Sequence, residues 1–338
     1  TKSKRRNIKM SENFRLHKGG LINRNKKISF KFNGKKYFGY EGDTLASALL
    51  ANGVHLVARS FKYHRPRGFL GAGVEESNAQ VQLYKGAKTD PNAMATTVEL
   101  VEGLVANSQN CWPSVSFDFG AINNFLSKFF PAGFYYKTFM WPKNFWHRIY
   151  EPIIRKAAGL GIAPLKPDPD RYEHKFEFCD VLVVGSGPAG LASALAAAKN
   201  GAKVIITEDK PRFGGSLLTD EVTIGNKKGK DWAEETITQL KSMKNVIVKN
   251  RSQVFGYYDH NMLVMFERTK DHIENPNKFT PRQRLWYIRA KEVILSTGSI
   301  ERPLVFGNND RPGIMLASAA KEYMKVYGVI IGKKPIIF

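Results

Sequence analysis

The 338-residue sequence has two cysteines, Cys111 and Cys179, far apart and without a CxxC pair. A disulfide framework and a cysteine-held zinc site are thereby excluded, and two plain, buried or half-buried thiols are expected. No apolar run reaches the roughly eighteen residues that cross a bilayer. Even VIIGKKPIIF is short and carries two lysines. The basic start TKSKRRNIK leads into no apolar segment of the secretory kind, so a cytoplasmic protein without a membrane contact is expected. Acidic residues are scarce, 30 against 52 Lys and Arg, which leaves a net charge of +22. Thirteen of the basic residues stand in the first forty positions against the single Glu12. Such a charge suits nucleic acid or an acidic partner. No helix-turn-helix, zinc finger or RNA-recognition signature accompanies the lysines, so a basic proteome or docking onto acidic partner subunits is expected and nucleic acid is not. The seven histidines are scattered, with no HExxH or other metal spacing and no serine or cysteine nucleophile motif. His64 differs, because KYHRPRG gathers Lys62, Arg65 and Arg67 around it. That loop suits either a phosphate or flavin edge, or a solvated or subunit-facing basic surface.

What is present is an ordinary globular composition, 43% hydrophobic and 24% charged, in a chain long enough for two or three domains. Residues 1–26 read as a basic extended arm. ISFKF and KKYFGY flank Asn33-Gly34, a pair that tolerates positive φ at both centres of a type I′ turn, so they predict a hairpin. EGDTLASALLANGV predicts a helix, with Asp43 or Thr44 as cap, Leu45, Leu49 and Leu50 as its apolar stripe and Gly53 at the left-handed C′ position. Hairpin, helix and further short strands make residues 27–105 a β-grasp domain. Between Phe117 and Tyr150 stand thirteen aromatic residues, broken by Pro131 and Pro142, which excludes one long regular element. Residues 106–172 are therefore an aromatic-rich wrapping segment and linker, whose rings either cover other parts of the chain or form an interface.

From residue 173 to 338 the pattern is α/β and dinucleotide-binding. CDVLVVG is a continuous apolar run, as a strand buried on both faces requires. PAGLASALAAAKNG follows as a helix and KVIITED as the second strand, which completes a βαβ unit in about thirty residues. Between the first strand and the helix stand Gly185, Ser186, Gly187, Pro188, Ala189 and Gly190, a GxGxxG in its required setting, with Glu208 at the end of the second strand. The first glycine permits the turn, the second admits a diphosphate, and the third lets helix and strand pack closely. The helix N-terminus offers amide donors and a partial positive charge. Glu208, followed by Asp209 and Lys210, accepts from a ribose 2′-hydroxyl and so disfavours a 2′-phosphate, a preference weakened by Lys210 and Arg212. Gly214, Gly215 and Ser216 in PRFGGSLL form a loop that must pass the adenylate and diphosphate. Thr297-Gly298 ends a later strand, after a set of antiparallel strands.

The trio GSGPAG, PRFGGS and STGS resembles two-dinucleotide flavoprotein reductases. SFKYHRPRGFLGAGVEESNAQV, FDFGAINNFLSKFFPAGFYYKTFMWP and STGSIERPLVFGNNDRPGIM are similar to the α subunit of heterotetrameric sarcosine oxidase, from about residue 20 onward. The resemblance implies a ferredoxin-like first domain. Relatives carry cysteines for a [2Fe-2S] cluster in a loop that here reads RGFLGAGVEESNA, so no iron-sulfur cluster is expected.

The resemblance further implies NAD at Gly185, Gly187 and Gly190, FAD and the amine-oxidising site in a β subunit, and FMN at the α/β interface. It implies γ and δ partners and a further region for tetrahydrofolate chemistry, with KKPIIF falling where the second half of the reductase-like fold would open. The expected reaction demethylates sarcosine, or a related secondary amine, to glycine with hydrogen peroxide and formaldehyde or 5,10-methylenetetrahydrofolate. The alternatives are an FAD-binding subunit of a related amine, opine or proline dehydrogenase and a stand-alone FAD- and NAD(P)H-dependent reductase. The latter would need a second GxGxxG, which the sequence lacks.

Overall fold

The structure, a computed structural model, describes residues 12–129, 133 and 139–337, without the side chains of 157 and 158. Expectations for residues 1–11, 130–132 and 134–138 lie outside the described residues. The chain forms two compact units, one running to Asp168 and resuming at Glu301, the other being Pro169–Ile300. The stretch 173–338, expected as one domain, is divided between them, since the residues from Glu301 onward belong to the first unit. The cause is the helix Ala317–Lys325, whose fully buried Tyr323 packs edge-on against Phe69 and donates its hydroxyl to the Gly71 carbonyl at 2.9 Å.

In the first unit β1 (Asn23–Phe32) and β2 (Lys35–Glu41) pair as the expected hairpin. Asn33 and Gly34 both have positive φ, 50° and 76°, as a type I′ turn demands. The helix Leu45–Ala51 is capped by Thr44 rather than Asp43: the Thr44 hydroxyl accepts from Ser47 N–H, and Ser47 reciprocates toward the Thr44 backbone. Short strands β3 (Ala58–Arg59) and β4 (Pro66–Arg67) make a separate pair. β5 (Gln80–Leu83), β6 (Asp90–Met94) and β7 (Val105–Ser108) complete a five-stranded sheet in the order β2-β1-β7-β5-β6. Phe30, Phe32, Val81 and Ala106 from the sheet and Leu45, Leu49 and Leu50 from the helix are all buried, which is the ferredoxin-like arrangement.

The extended arm is corrected from residue 12 onward. Phe14 packs edge-on against His55, Leu16 N–H donates to the Gly328 carbonyl at 2.8 Å, and Arg15 forks onto Asp43 at 3.0 and 2.7 Å. Asp43 is fully buried and also takes the Ser47 hydroxyl and Tyr40 N–H. A buried carboxylate with that many partners organises the segment more strongly than the like charges around it disperse it. The aromatic stretch folds as short turns at Phe119–Ala121, Ile122–Phe125, Ser127–Phe129 and Trp146–Tyr150, then a helix at Glu151–Ala158.

The second unit holds a six-stranded sheet. β8 (Tyr172–Val184) is followed by β9 (Val204–Thr207), the small pair β10 (Thr223–Ile224) and β11 (Lys227–Lys228), then β12 (Val246–Lys249). β13 (Ser252–Tyr258), β14 (Met262–Arg268) and β15 (Gln283–Leu295) give the order β12-β9-β8-β15-β14-β13. The first four are parallel, while β14 is antiparallel to both β15 and β13. Alternation along β8 and β9 sends side chains into two cores. Val183, Val204 and Ile206 meet Leu191, Ala194, Ile237 and Leu240 of the helices Pro188–Lys199 and Gly229–Ser242 on one face. Leu182, Val184 and Ile205 meet Leu263, Met265 and Ile288 on the other. This is why the run CDVLVVG is apolar throughout.

Removing Asp43 takes away the forked, fully buried partner of Arg15 and leaves it with Glu12 and the Tyr327 carbonyl, so Asp43→Ala is expected to cost about 3 kcal/mol of stability, read as a drop in the urea midpoint with the slope unchanged.

Candidate dinucleotide site

The site forms where the carboxyl ends of β8, β9 and β15 meet. From β8 the chain crosses to β9 on one side and later reaches β15 on the other, so the strand order reverses at this point, where parallel sheets open a crevice. Gly185 turns with φ 99°, and a Cβ there would lie 2.3 Å from the Ser296 carbonyl oxygen. A Cβ on Gly190 would lie 2.0 Å from the Gly185 carbonyl oxygen. At Gly187 a Cβ would meet nothing within 4 Å, so this glycine faces open space. The first and third glycines therefore serve packing, and the second leaves room for a ligand.

The helix Pro188–Lys199 starts at that opening, with Gly187 as its cap residue and no capping side chain. Pro188 and Ala189 are exposed there. Its first amides are free of side-chain competition, as an anion site requires.

Ser186, fully buried, joins the parts of the site. Its N–H and hydroxyl donate to Glu208 Oε2 at 3.2 and 2.5 Å, and its carbonyl and Oγ each accept from Gly214 N–H at 3.1 Å. Glu208 Oε1 accepts from Lys210 N–H at 3.1 Å. Burial, reinforced by neighbouring Asp209, pushes the Glu208 carboxyl up to about 8. The Asp209 carbonyl is held by Arg268 at 2.9 Å. Gly215, at φ 52°, comes so close to the glycine turn that a Cβ would stand 3.0 Å from the Gly187 Cα, and Ser216 beside it is exposed. Ser296 N–H donates to the Val184 carbonyl at 2.7 Å, and Thr297 and Gly298 follow, both exposed. The structure thus brings the glycine turn, Glu208, the Gly214-Gly215 loop and the Ser296-Thr297 turn together. Lys210 enters by its backbone. Ser296 was not singled out in the sequence, although it directly precedes Thr297-Gly298.

The basic loop around His64 has a different fate. His64 is buried with φ 51°, and its Nδ1 lies 2.7 Å from Asp118 Oδ2. Asp118 Oδ1 in turn accepts from Trp112 and Gly120 N–H. Arg65 and Arg67 both reach Asp310, at 2.6 and 3.0 Å. The arginine forks are thus taken up by a carboxylate of the same unit rather than offered to solvent. No pattern in the sequence marks Asp118 or Asp310 as the partner. His64 and Asp118 border a cavity of about 1270 Å³ lined by Gln82, Tyr84, Gln109 and Cys111. Burial pushes the thiols of Cys111 and Cys179 up to about 11 and about 12, so both stay protonated and unreactive near neutrality.

Residues 25–111 match the family described as a 2Fe-2S iron-sulfur cluster binding domain, and residues 180–282 match the FAD dependent oxidoreductase family. The chain is 54% identical over 325 residues to the sarcosine oxidase subunit alpha of Rhizobium meliloti, which covers 96% of this chain and 33% of that protein. The corresponding subunit of Corynebacterium sp. (strain U-96) is 33% identical over 94% of this chain and 28% of its own length. The fold is shared with the L-proline dehydrogenase of P. horikoshii, at a TM-score of 0.60 and 21% identity over 93% of this chain and 50% of that one. The chain is therefore an α/β protein with a ferredoxin-like domain and a domain of the FAD-dependent oxidoreductase type. It is a homologue of the sarcosine oxidase alpha subunits and spans about a third of their length.

The two implied cofactor types differ in fit. A [2Fe-2S] cluster takes four thiolates or close substitutes. Residues 25–111 contain one cysteine, Cys111, and among the described residues no three His, Cys, Asp or Glu side chains gather as a metal site. The residues do not fit the cluster. The open Gly187 face and the uncapped helix start do fit a diphosphate.

Because the folded Glu208 carboxyl stays protonated up to about 8, above its ordinary 4.5, its share of stability is full below about 4.5 and is lost as pH rises through about 8. Thermal unfolding followed from pH 5 to 9 is expected to show that loss, and Glu208→Gln to flatten it.

Proposed function

We propose that this chain is the dinucleotide-holding, assembly-forming part of the alpha subunit of a sarcosine oxidase-type complex, and that it binds NAD at the glycine turn. The observation that carries the reading is the open face at Gly187 beside the uncapped helix start, enclosed by the Gly185, Gly190 and Gly215 backbones. Gly187, Ala189 and Gly190 would hold the diphosphate by backbone N–H groups, while Pro188, which has no N–H, fixes the first turn of the helix. Gly214, Gly215 and Ser216 would border the adenylate, with Thr297 and Gly298 at the opposite rim. Glu208, once ionised, would accept from a ribose hydroxyl and disfavour a 2′-phosphate, a preference that Lys210 and Arg212 weaken. NAD supplies hydride acceptance when it is bound.

The complex would oxidise sarcosine to glycine, with dioxygen reduced to hydrogen peroxide and the methyl carbon leaving as formaldehyde or as 5,10-methylenetetrahydrofolate, or would act on a related secondary amine. Amine oxidation would reside in a beta subunit carrying FAD, with FMN at the alpha-beta interface, gamma and delta subunits completing the assembly, and tetrahydrofolate handled outside these residues. The rings that the first unit leaves outside support an assembly role. Trp112, Phe125 and Trp141 are 70%, 85% and 81% exposed, so the aromatic segment does not spend these rings on wrapping its own chain. Large exposed aromatics belong to interfaces. A second reading, FAD instead of NAD at the same turn, is favoured by the match of residues 180–282 to the FAD dependent oxidoreductase family. Both ligands share the adenosine diphosphate half, which is the part these residues address.

Denaturing the purified protein and identifying what is released separates the two readings: NAD in stoichiometric amount is expected, and stoichiometric FAD on this chain would transfer the site to the second reading. Gly187→Ala is expected to keep the unfolding temperature and weaken dinucleotide binding at least about tenfold, equivalent to about 1.4 kcal/mol by calorimetry. Gly190→Ala, with its 2.0 Å approach, is expected to lose binding and fold together. Replacing Phe125 and Trp141 by serine should leave nucleotide binding intact while removing about 2 kcal/mol of affinity for the partner subunits, measured by titration.

A further inference from the structure

The family matched by residues 25–111 is described by the anionic inorganic cluster it holds. Such clusters lie in concave nests of backbone N–H groups. The glycine-rich loop at residues 70–79 of this chain makes a nest of that kind and turns it on a side chain of its own. Glu76 is 3% exposed. Its Oε2 accepts from Leu70 and Gly71 N–H at 2.8 and 2.9 Å, and its Oε1 from Asn78 and Ala79 N–H at 2.6 and 3.0 Å. The adjacent Glu75 accepts from Ala72 and Gly73 N–H at 2.7 and 3.0 Å. Six amides of one loop thus end on two carboxylates. Gly71 is needed for this closure, since a Cβ there would stand 2.6 Å from Glu75 Oε1.

The carbonyl side of the loop is used as well. Leu316 N–H donates to the Leu70 carbonyl at 2.9 Å, Tyr323 to that of Gly71 at 2.9 Å, and the Thr96 hydroxyl to that of Gly73 at 2.7 Å. Burial pushes the Glu76 carboxyl up and its four amide donors pull it back, leaving it above the ordinary range. A loop with no thiol therefore has six of its amides and three of its carbonyls satisfied from within the chain.

We infer that the Glu76 carboxylate takes the structural place of an iron-sulfur cluster in this loop, which makes the ferredoxin-like domain a redox-silent scaffold through which no electrons pass. The carboxylate is the suitable replacement because it is anionic, carries two acceptor oxygens, and reaches two amides with each. A glutamine would offer one acceptor and turn an NH2 group toward two further donors, leaving buried amides unpaired.

Hydrogen exchange on the full chain tests this directly. With no iron present, the amides of residues 70, 71, 78 and 79 are expected to exchange slowly. Glu76→Gln and Glu76→Ala should speed them roughly 100-fold while the amides of the second unit stay unchanged. Formate added to the Glu76→Ala protein should restore much of the protection, because a small carboxylate fits the vacated nest. If the alanine variant does not fold, Glu76→Gln and the unaltered protein still decide the matter. Unchanged exchange in Glu76→Gln would overturn the inference. So would anaerobic reconstitution of the unaltered protein with ferrous iron and sulfide, if it produced cluster absorbance and protected these amides only then.

Discussion

Three stretches of backbone meet at the end of β8 with less room between them than one methyl group needs. The carbonyls of Gly185 and Ser296 stand 2.0 and 2.3 Å from where Cβ atoms of residues 190 and 185 would be. This close contact sets the position of the helix Pro188–Lys199, and with it the direction of its free amides. The core on the helix side of the sheet then follows, because the helix can lie that near the sheet only if Leu191, Ala194 and Ala198 interlock with Val183, Val204 and Ile206. Ser186 and Gly214 extend the same economy of space outward, so the floor of the site is made almost wholly of main chain.

Charge is handled in a similarly enclosed way in the first unit. A net charge of +22 suggests a surface of free cations. Several of those cations are instead paired inside the fold: Arg15 with Asp43, Arg65 and Arg67 with Asp310. Glu76 reverses the signs, a lone carboxylate answered by amide dipoles rather than by a cation. Asp43 and Glu76, both buried, and the half-buried Asp310 each serve several donors, so a small number of acidic residues organises a strongly basic chain.

The βαβ unit was legible because its signals are local. Strand period, glycine spacing and the helix stop at Asn200-Gly201 all lie within one short window, and hairpin and cap around Asn33 and Thr44 were equally local. The arm was misread because its organising partner, Asp43, is 28 positions away from Arg15, and the fate of the stretch after Glu301 because Tyr323 meets Gly71 from 252 positions away. Neither separation leaves a trace in periodicity or composition. At the site, Glu208 was visible from its spacing, but its burial against Ser186 depends on how two loops close over it. The Glu76 nest was hidden for another reason: a glutamate between Glu75 and Ser77 carries no sign of burial in the sequence until the amides are seen to converge on it.

The clamp of Arg15 and Leu16 on Tyr327 and Gly328 has a consequence for the order in which the molecule is made. The second unit is contiguous and rich in local pairings, so it has everything it requires once Ile300 has been synthesised. The first unit begins earlier on the ribosome yet lacks Tyr323 and the Tyr327 carbonyl that Arg15 also reaches until some three hundred residues later. Its ferredoxin-like sheet must therefore wait with an open flank, and the unit that comes first in sequence closes after the one inserted within it.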